Sequence, residues 1–269
     1  MNGQPVKDPL NRHFAPKTTI AISLITTLSL LALWWLATTQ GWVKPLFLPS
    51  PSQVLGKTGD LITEGFADST LWQHTWASLF RVFSAFGLAC LTAVPIGILM
   101  GIHDLAKGIL DPVIEFYRPL PPLAYLPLII IWLGIGETAK IVLIFLAVFA
   151  PICLSTRAGV RAVAREKILA AATLGASRVQ IIRHIVLPGA LPEILTGMRV
   201  GIGFGWTTLV AAEMVAATAG LGFMVLNAKD FLATDVVITG IFVIGAIAYG
   251  FDLLMRGLEH WLVPWKGQE

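Results

Sequence analysis

The chain is 269 residues long; 56% of them are hydrophobic and 13% carry a charge. Soluble domains run near 25% charged, so this balance excludes a cytosolic globule, a disordered tail and a nucleic-acid binder. Nineteen Lys and Arg against 16 Asp and Glu leave a net charge of +3, too small to imply a polyanionic partner and informative only through where the charges sit.

A membrane-spanning helix needs about 20 mostly apolar residues, because each adds about 1.5 Å across a hydrocarbon core of about 30 Å. Six stretches qualify, near residues 19–38, 76–100, 120–136, 141–156, 191–217 and 236–255, so the predicted fold class is an all-α polytopic membrane protein. The first follows Lys7, Arg12 and Lys17 and ends in Trp34 and Trp35 with no small-residue cleavage site, which reads as an uncleaved anchor. Residues 40–75 carry Pro45, Pro49 and Pro51 and read as an irregular loop with a short surface helix near 71–78. The third stretch opens Pro119-Leu120-Pro121-Pro122 and contains Pro127, so its helix is expected to be kinked or broken, either as a moving part or as a fixed bend. Residues 218–235 are apolar, punctuated by Gly220 and Gly222, and too short to cross twice; they are expected to dip into the membrane and return. The spaced pairs Gly97/Gly101, Gly197/Gly201 and Gly201/Gly205 predict close helix packing.

Basic residues orient the chain. With both termini in the cytoplasm, thirteen Lys and Arg fall inside (Lys7, Arg12 and Lys266 at the ends among them), and four fall outside: Lys44, Lys57, Lys140 and Lys229. The chain then divides into an N-terminal tail, anchor and outer loop (residues 1–75), a core of five spans (76–258) containing a cytoplasmic loop (157–188), and a C-terminal tail (259–269).

No energy source is evident in the chain. Gly56-Lys57-Thr58 imitates the end of a phosphate loop, but Pro51 stands where that loop requires glycine. The five histidines, His13 among them, are scattered, and no metal or hydrolytic motif is present. No catalytic residue, metal or bound cofactor is therefore expected, and the missing constellations weigh against an intramembrane enzyme. Ionisable residues within spans are costly and therefore functional suspects, and Arg81, Arg199 and Glu213 stand out. Arg81 and Arg199 lie near span ends, within reach of the interface or a carbonyl. Glu213 is deeper and reads equally as a gating or translocation residue or as a structural hydrogen bond to a neighbouring helix.

The longest inner loop, residues 157–188, holds six of the thirteen inner basic residues and reads as two short helices around Gly175. Arg157, Arg161 and Arg165, at i, i+4 and i+8, form a basic face on the first; residues 177–186 alternate polar and apolar side chains like a surface helix. The string Ala170-Ala171-Ala172-Thr173-Leu174-Gly175, followed ten residues after the glycine by Ile185-Val186-Leu187-Pro188, resembles the EAA motif of ATP-binding-cassette importer permeases. Leu169 replaces the motif's glutamate, leaving Glu166 or the basic face to supply polar anchoring. Residues 112–140 and 188–227 resemble the nitrate, sulfonate and taurine subgroup of that family. The stretches 71–74, 189–197 and 231–237 and the closing Pro264-Trp265 are most similar to its taurine-transporting members.

The resemblance implies a type I importer permease fold, in the bacterial inner membrane, working as a homodimer with two cytoplasmic ATPase subunits that hold ATP and Mg, and with a periplasmic binding protein. It further implies that Arg165, Glu166, Ala170, Ala171, Gly175, Ala176, Ile185, Leu187 and Pro188 couple the permease to the ATPase, and that the spans rock to give alternating access as the coupling helices move. The outer loops would receive the binding protein. Trp206, Thr207, Thr208 and Glu213 are candidates for the substrate pathway, since Thr and Trp offer hydrogen bonds to a sulfonate without trapping it. Taurine or a similar small sulfonate is the expected cargo, with other alkanesulfonates and nitrate as alternatives within the family and a passive channel outside it.

Overall fold

A computed structural model describes residues 16–215 and 217–265. Lys7, Arg12, His13 and Lys266, and with them the outermost parts of both expected tails, lie outside the described residues. In chain order the helices are α1 (Pro16–Thr39), α2 (Pro51–Thr63), α3 (Leu71–Ile102), α4 (Asp104–Tyr117), α5 (Pro122–Leu133), α6 (Glu137–Ala162), α7 (Arg165–Thr173), α8 (Arg178–Ile181), α9 (Leu187–Glu213), α10 (Leu221–Asp230) and α11 (Thr234–Leu262); a π turn, Ile182–Val186, joins α8 to α9. Among the described residues five helices are long and apolar enough to span a membrane, six if the bent pair α4–α5 makes one span.

The centre is a three-helix slab of α3, α6 and α9. Leu143, Ile144, Val148, Ile152 and Cys153 of α6 are fully buried in it, because α6 has a neighbour on two sides. Small residues make this possible. A Cβ on Gly97 of α3 would sit 2.6 Å from the Cys153 carbonyl, and one on Gly197 of α9 would sit 2.5 Å from Ser155 Cβ, so both helices approach the α6 backbone more closely than any larger residue allows. The spaced glycines of the sequence thus have a single target, with Gly97 and Gly101 on one flank of α6 and Gly197, Gly201 and Gly205 on the other.

α10 packs on α11 and α2 through Leu221, Met224 and Ala228 against Val236 and Leu61. α1 stands apart. Among its described residues, those up to Leu33 are exposed; near its far end Trp34 stacks on Phe242 with ring centroids 5.8 Å apart and donates to the Pro49 carbonyl at 3.1 Å.

Four expectations are corrected. Residues 71–78 do not form a separate surface helix but open the 32-residue α3. The preceding loop contains a helix, α2, started by Ser50, whose hydroxyl accepts from Gln53 N while the Gln53 side chain accepts from Ser50 N. The same reciprocal cap, Thr70 with Gln73, starts α3. The third stretch is not one helix from near residue 120: α4, from Asp104, turns through 106° into the 12-residue α5, and only the bent pair together is long and apolar enough for a span. The break lies at Pro119-Leu120-Pro121-Pro122, where three of four residues lack an N–H, and not at Pro127, which sits inside continuous α5. Finally, Arg157 and Arg161 are not part of a loop helix. α6 runs on to Ala162, and these two pair with Asp111 and Asp104 of α4; Arg161 Nη2 donates to Asp104 Oδ1 at 2.7 Å.

Candidate functional site

Three features stand out along the slab: an exposed elbow at one end, a buried ionic latch at the other, and a cavity between.

The elbow is the turn from α7 into α8. Ala164 has extended ψ and releases the chain from α6; Arg165 and Glu166 open α7 and are exposed. α7 ends when Ala176 N donates to the Ala171 carbonyl and Leu174 N to the Ala170 carbonyl, with Gly175 at φ +84°. Nothing lies within 4 Å of a Cβ built on Gly175, so the glycine is required by its backbone conformation and not by crowding. Ser177 and Gln180 then cap α8 reciprocally. Leu169, Leu174 and Val179 are 54%, 88% and 72% exposed, an apolar surface on so short a connection. Leu169, where the motif has glutamate, is part of it. Ala170, Ala171, Gly175 and Ala176 lie at the tip, whereas Ile185, Leu187 and Pro188 are half-buried along the π turn and the first turn of α9. The second loop helix is therefore not a free surface helix: residues 178–213 run as one helix of 36 residues.

At the opposite end Arg81 of α3 is nearly fully buried and fully engaged. Its Nε and Nη2 clamp both oxygens of Glu137 at 2.6 and 2.7 Å, and Nη1 reaches Glu213 Oε1 at 2.6 Å and the Ala219 carbonyl at 2.8 Å. Ser78 Oγ donates to Glu213 Oε1 at 2.7 Å and accepts from Leu221 N; Gly222 N donates to Glu213 Oε2 at 2.7 Å. Lys140 Nζ donates to Glu137 Oε1 at 3.0 Å, so two cations and two carboxylates balance. Gly220 N donates to His74 Nδ1, which leaves Nε2 to donate to the Phe66 carbonyl at 2.9 Å. Gly220 sits at φ +144° against the Glu213 carboxylate, leaving no room for a side chain. The latch ties the start of α3, the start of α6, the end of α9 and the start of α10 together, and the amides opening α10 meet a negative charge as a helix N-terminus favours.

Between these ends a cavity of about 570 Å³ opens beside the α4–α5 break, walled by the middle of α6 and by Val200 and Phe204 of α9. Of the residues singled out for a pathway, Thr207 is exposed, one turn beyond Phe204 on the same face of α9. Trp206 and Thr208, 6% and 3% exposed, turn into the slab, and Glu213 belongs to the latch. The structure thus does not bring these four together. Missing from the sequence reading were Ser78, Glu137 and Lys140; the available signal was that Arg81 and Glu213 are oppositely charged residues within spans, which pair when they can. Arg199 does not reach for a carbonyl but faces Asp252 and Glu259 of α11 at 3.4 and 3.7 Å.

Comparison with known proteins places this arrangement. Residues 93–266 match the family described as the binding-protein-dependent transport system inner membrane component. The chain is 55% identical over 97% of its length to the taurine transport system permease protein TauC of Escherichia coli (strain K12), covering 93% of that protein. It is 32% identical over 96% of its length to the nitrate import permease protein NrtB of Synechocystis sp., covering 94% of it. A chain of the inward-facing MetNI methionine ABC transporter superposes with a TM-score of 0.61 at 20% identity, over 71% of this chain and 95% of that one, which speaks to the fold. A multi-pass helical protein with this slab, this elbow and these relatives belongs to the binding-protein-dependent transport system inner membrane component family.

Proposed function

We propose that the chain is the membrane-spanning subunit of an ATP-driven importer that carries taurine, 2-aminoethanesulfonate, or a close sulfonate. The observation that carries this reading is the contrast between 55% identity to a taurine permease and 32% to a nitrate permease over nearly the same length of chain. In this reading two copies pair, two separate ATPase subunits bind ATP and Mg at the elbow end, and a periplasmic protein delivers the substrate at the latch end. Both termini are then cytoplasmic, as the thirteen-to-four distribution of basic residues supports. The exposed trio Leu169, Leu174 and Val179 forms the apolar centre of the ATPase contact, with Arg165, Glu166 and Arg178 fixing its register around Ala170, Ala171 and Gly175. Ile185, Leu187 and Pro188 pass the displacement into α9.

Gly175→Asp tests the elbow. An L side chain at φ +84° is strained by about 1–3 kcal/mol, and a carboxylate is added beside the apolar trio. Substrate-stimulated ATP hydrolysis is expected to fall to the basal rate while the amount of permease in the membrane stays normal. Wild-type stimulation and transport in that variant would remove this loop from the coupling path.

A further inference from the structure

The cavity beside the α4–α5 break has features that packing does not require. Its volume, about 570 Å³, lies in the range of small-molecule sites. Its lining includes Arg118, which stands in the break itself, and Pro151, Ala147 and Ser155 on the facing wall of α6. Pro151 has no N–H, so the Ala147 carbonyl one turn earlier lacks its i+4 donor, and both residues border the cavity. A wall of α6 that should be fully self-bonded therefore presents an acceptor. Opposite it, Arg118 is loosely held. Its Nη1 lies 3.5 Å from Glu115 Oε2, both side chains are about half exposed, and Glu115 is also shared with Arg157 at 3.8 Å. Pairs so placed contribute little, so the guanidinium can exchange Glu115 for another anion at small cost. Tyr125 and Phe204 supply aromatic walls.

We infer that this cavity is a station for a small zwitterion in transit, with the sulfonate held by Arg118 and the ammonium by the Ala147 carbonyl and the Ser155 hydroxyl. The inference deepens the reading of the chain as a sulfonate permease and rests on it. Guanidinium matches the oxyanion geometry of a sulfonate, and a carbonyl without its helical donor suits an ammonium. Glu115 re-forms its contact with Arg118 when the substrate leaves, which keeps the hold transient.

The test uses the whole transporter, permease with its ATPase and binding protein, in sealed vesicles. Uptake of labelled taurine is compared with that of ethanesulfonate, the same kind of anion without the ammonium. Arg118→Gln is expected to raise KM about tenfold for both, and Arg118→Lys to recover most of the loss. Pro151→Ala restores an N–H to the Ala147 carbonyl and is expected to raise KM about threefold for taurine while leaving ethanesulfonate unchanged. Wild-type KM values for both substrates in Arg118→Gln and Pro151→Ala would overturn the station while leaving the permease reading intact. Wild-type vesicles that take up neither sulfonate would instead overturn the substrate reading on which the station rests. Should Arg118→Gln fail to reach the membrane, the ratio of the two substrates in Pro151→Ala decides the matter, an unchanged ratio counting against the station.

Discussion

The two ends of the slab hold together by opposite means. At the latch, charges are matched one for one around a buried Arg81–Glu213 pair and each guanidinium nitrogen of Arg81 has a partner, so four chain segments are fixed to one another. At the elbow, geometry is set by a positive-φ glycine and a serine cap, while large apolar side chains stand in the open. The latch is complete within the chain; the elbow is shaped for contact with something else. Stability and coupling are therefore expected to separate, with variants at the latch damaging the fold and variants at the elbow damaging communication.

The sharpest challenge to this division is Arg81→Leu. It leaves Glu213 buried without its cation, and such one-sided removal costs about 3–5 kcal/mol. Thermal unfolding in detergent should show a large loss that Arg81→Leu combined with Glu213→Leu partly reverses; equal loss in single and double variants would mean that the ion pair is not what matters. Next in size is Gly197→Val, which places methyls against Ser155 and the α6 backbone and should cost about 1–3 kcal/mol by the same measurement. The smallest is Ser177→Ala at the elbow. Loss of the α8 cap is worth about 1 kcal/mol locally. It should barely move the global unfolding midpoint yet reduce ATP hydrolysis stimulated by substrate. A Ser177→Ala variant that unfolded as readily as Arg81→Leu would erase the contrast between the ends.

Much of the slab was legible because its determinants are local. Long apolar runs mark α3, α6, α9 and α11, and glycine spacing marks the faces that meet, since both depend on a few residues in sequence order. The elbow was legible for the same reason: Gly175 and the Ile185-Val186-Leu187-Pro188 string lie within one short stretch. α4 was not, because Asp104, Lys107, Asp111 and Glu115 make it too polar to read as a span, and the pairing of its three carboxylates with Arg157 and Arg161 shows only in the fold. α2 carried a readable signal in Ser50-Pro51-Ser52-Gln53, obscured by three prolines that suggested irregular chain. The latch joins residues 132 positions apart, Arg81 and Glu213, so no window of sequence contains it.

The continuous helix from Arg178 to Glu213 has a mechanical meaning. Thirty-six residues at about 1.5 Å each make a strut of about 54 Å with a single wide turn in it, at Ile182–Val186. One tip is the capped start of α8 at the elbow; the other is the carboxylate that secures the latch. From Arg178, just past the Gly175 turn, to Glu213 the chain stays helical throughout, so a torque applied at the start of α8 is carried along one helix to the partner of Arg81. The two ends that differ so sharply in chemistry are thus the handle and the bolt of one lever.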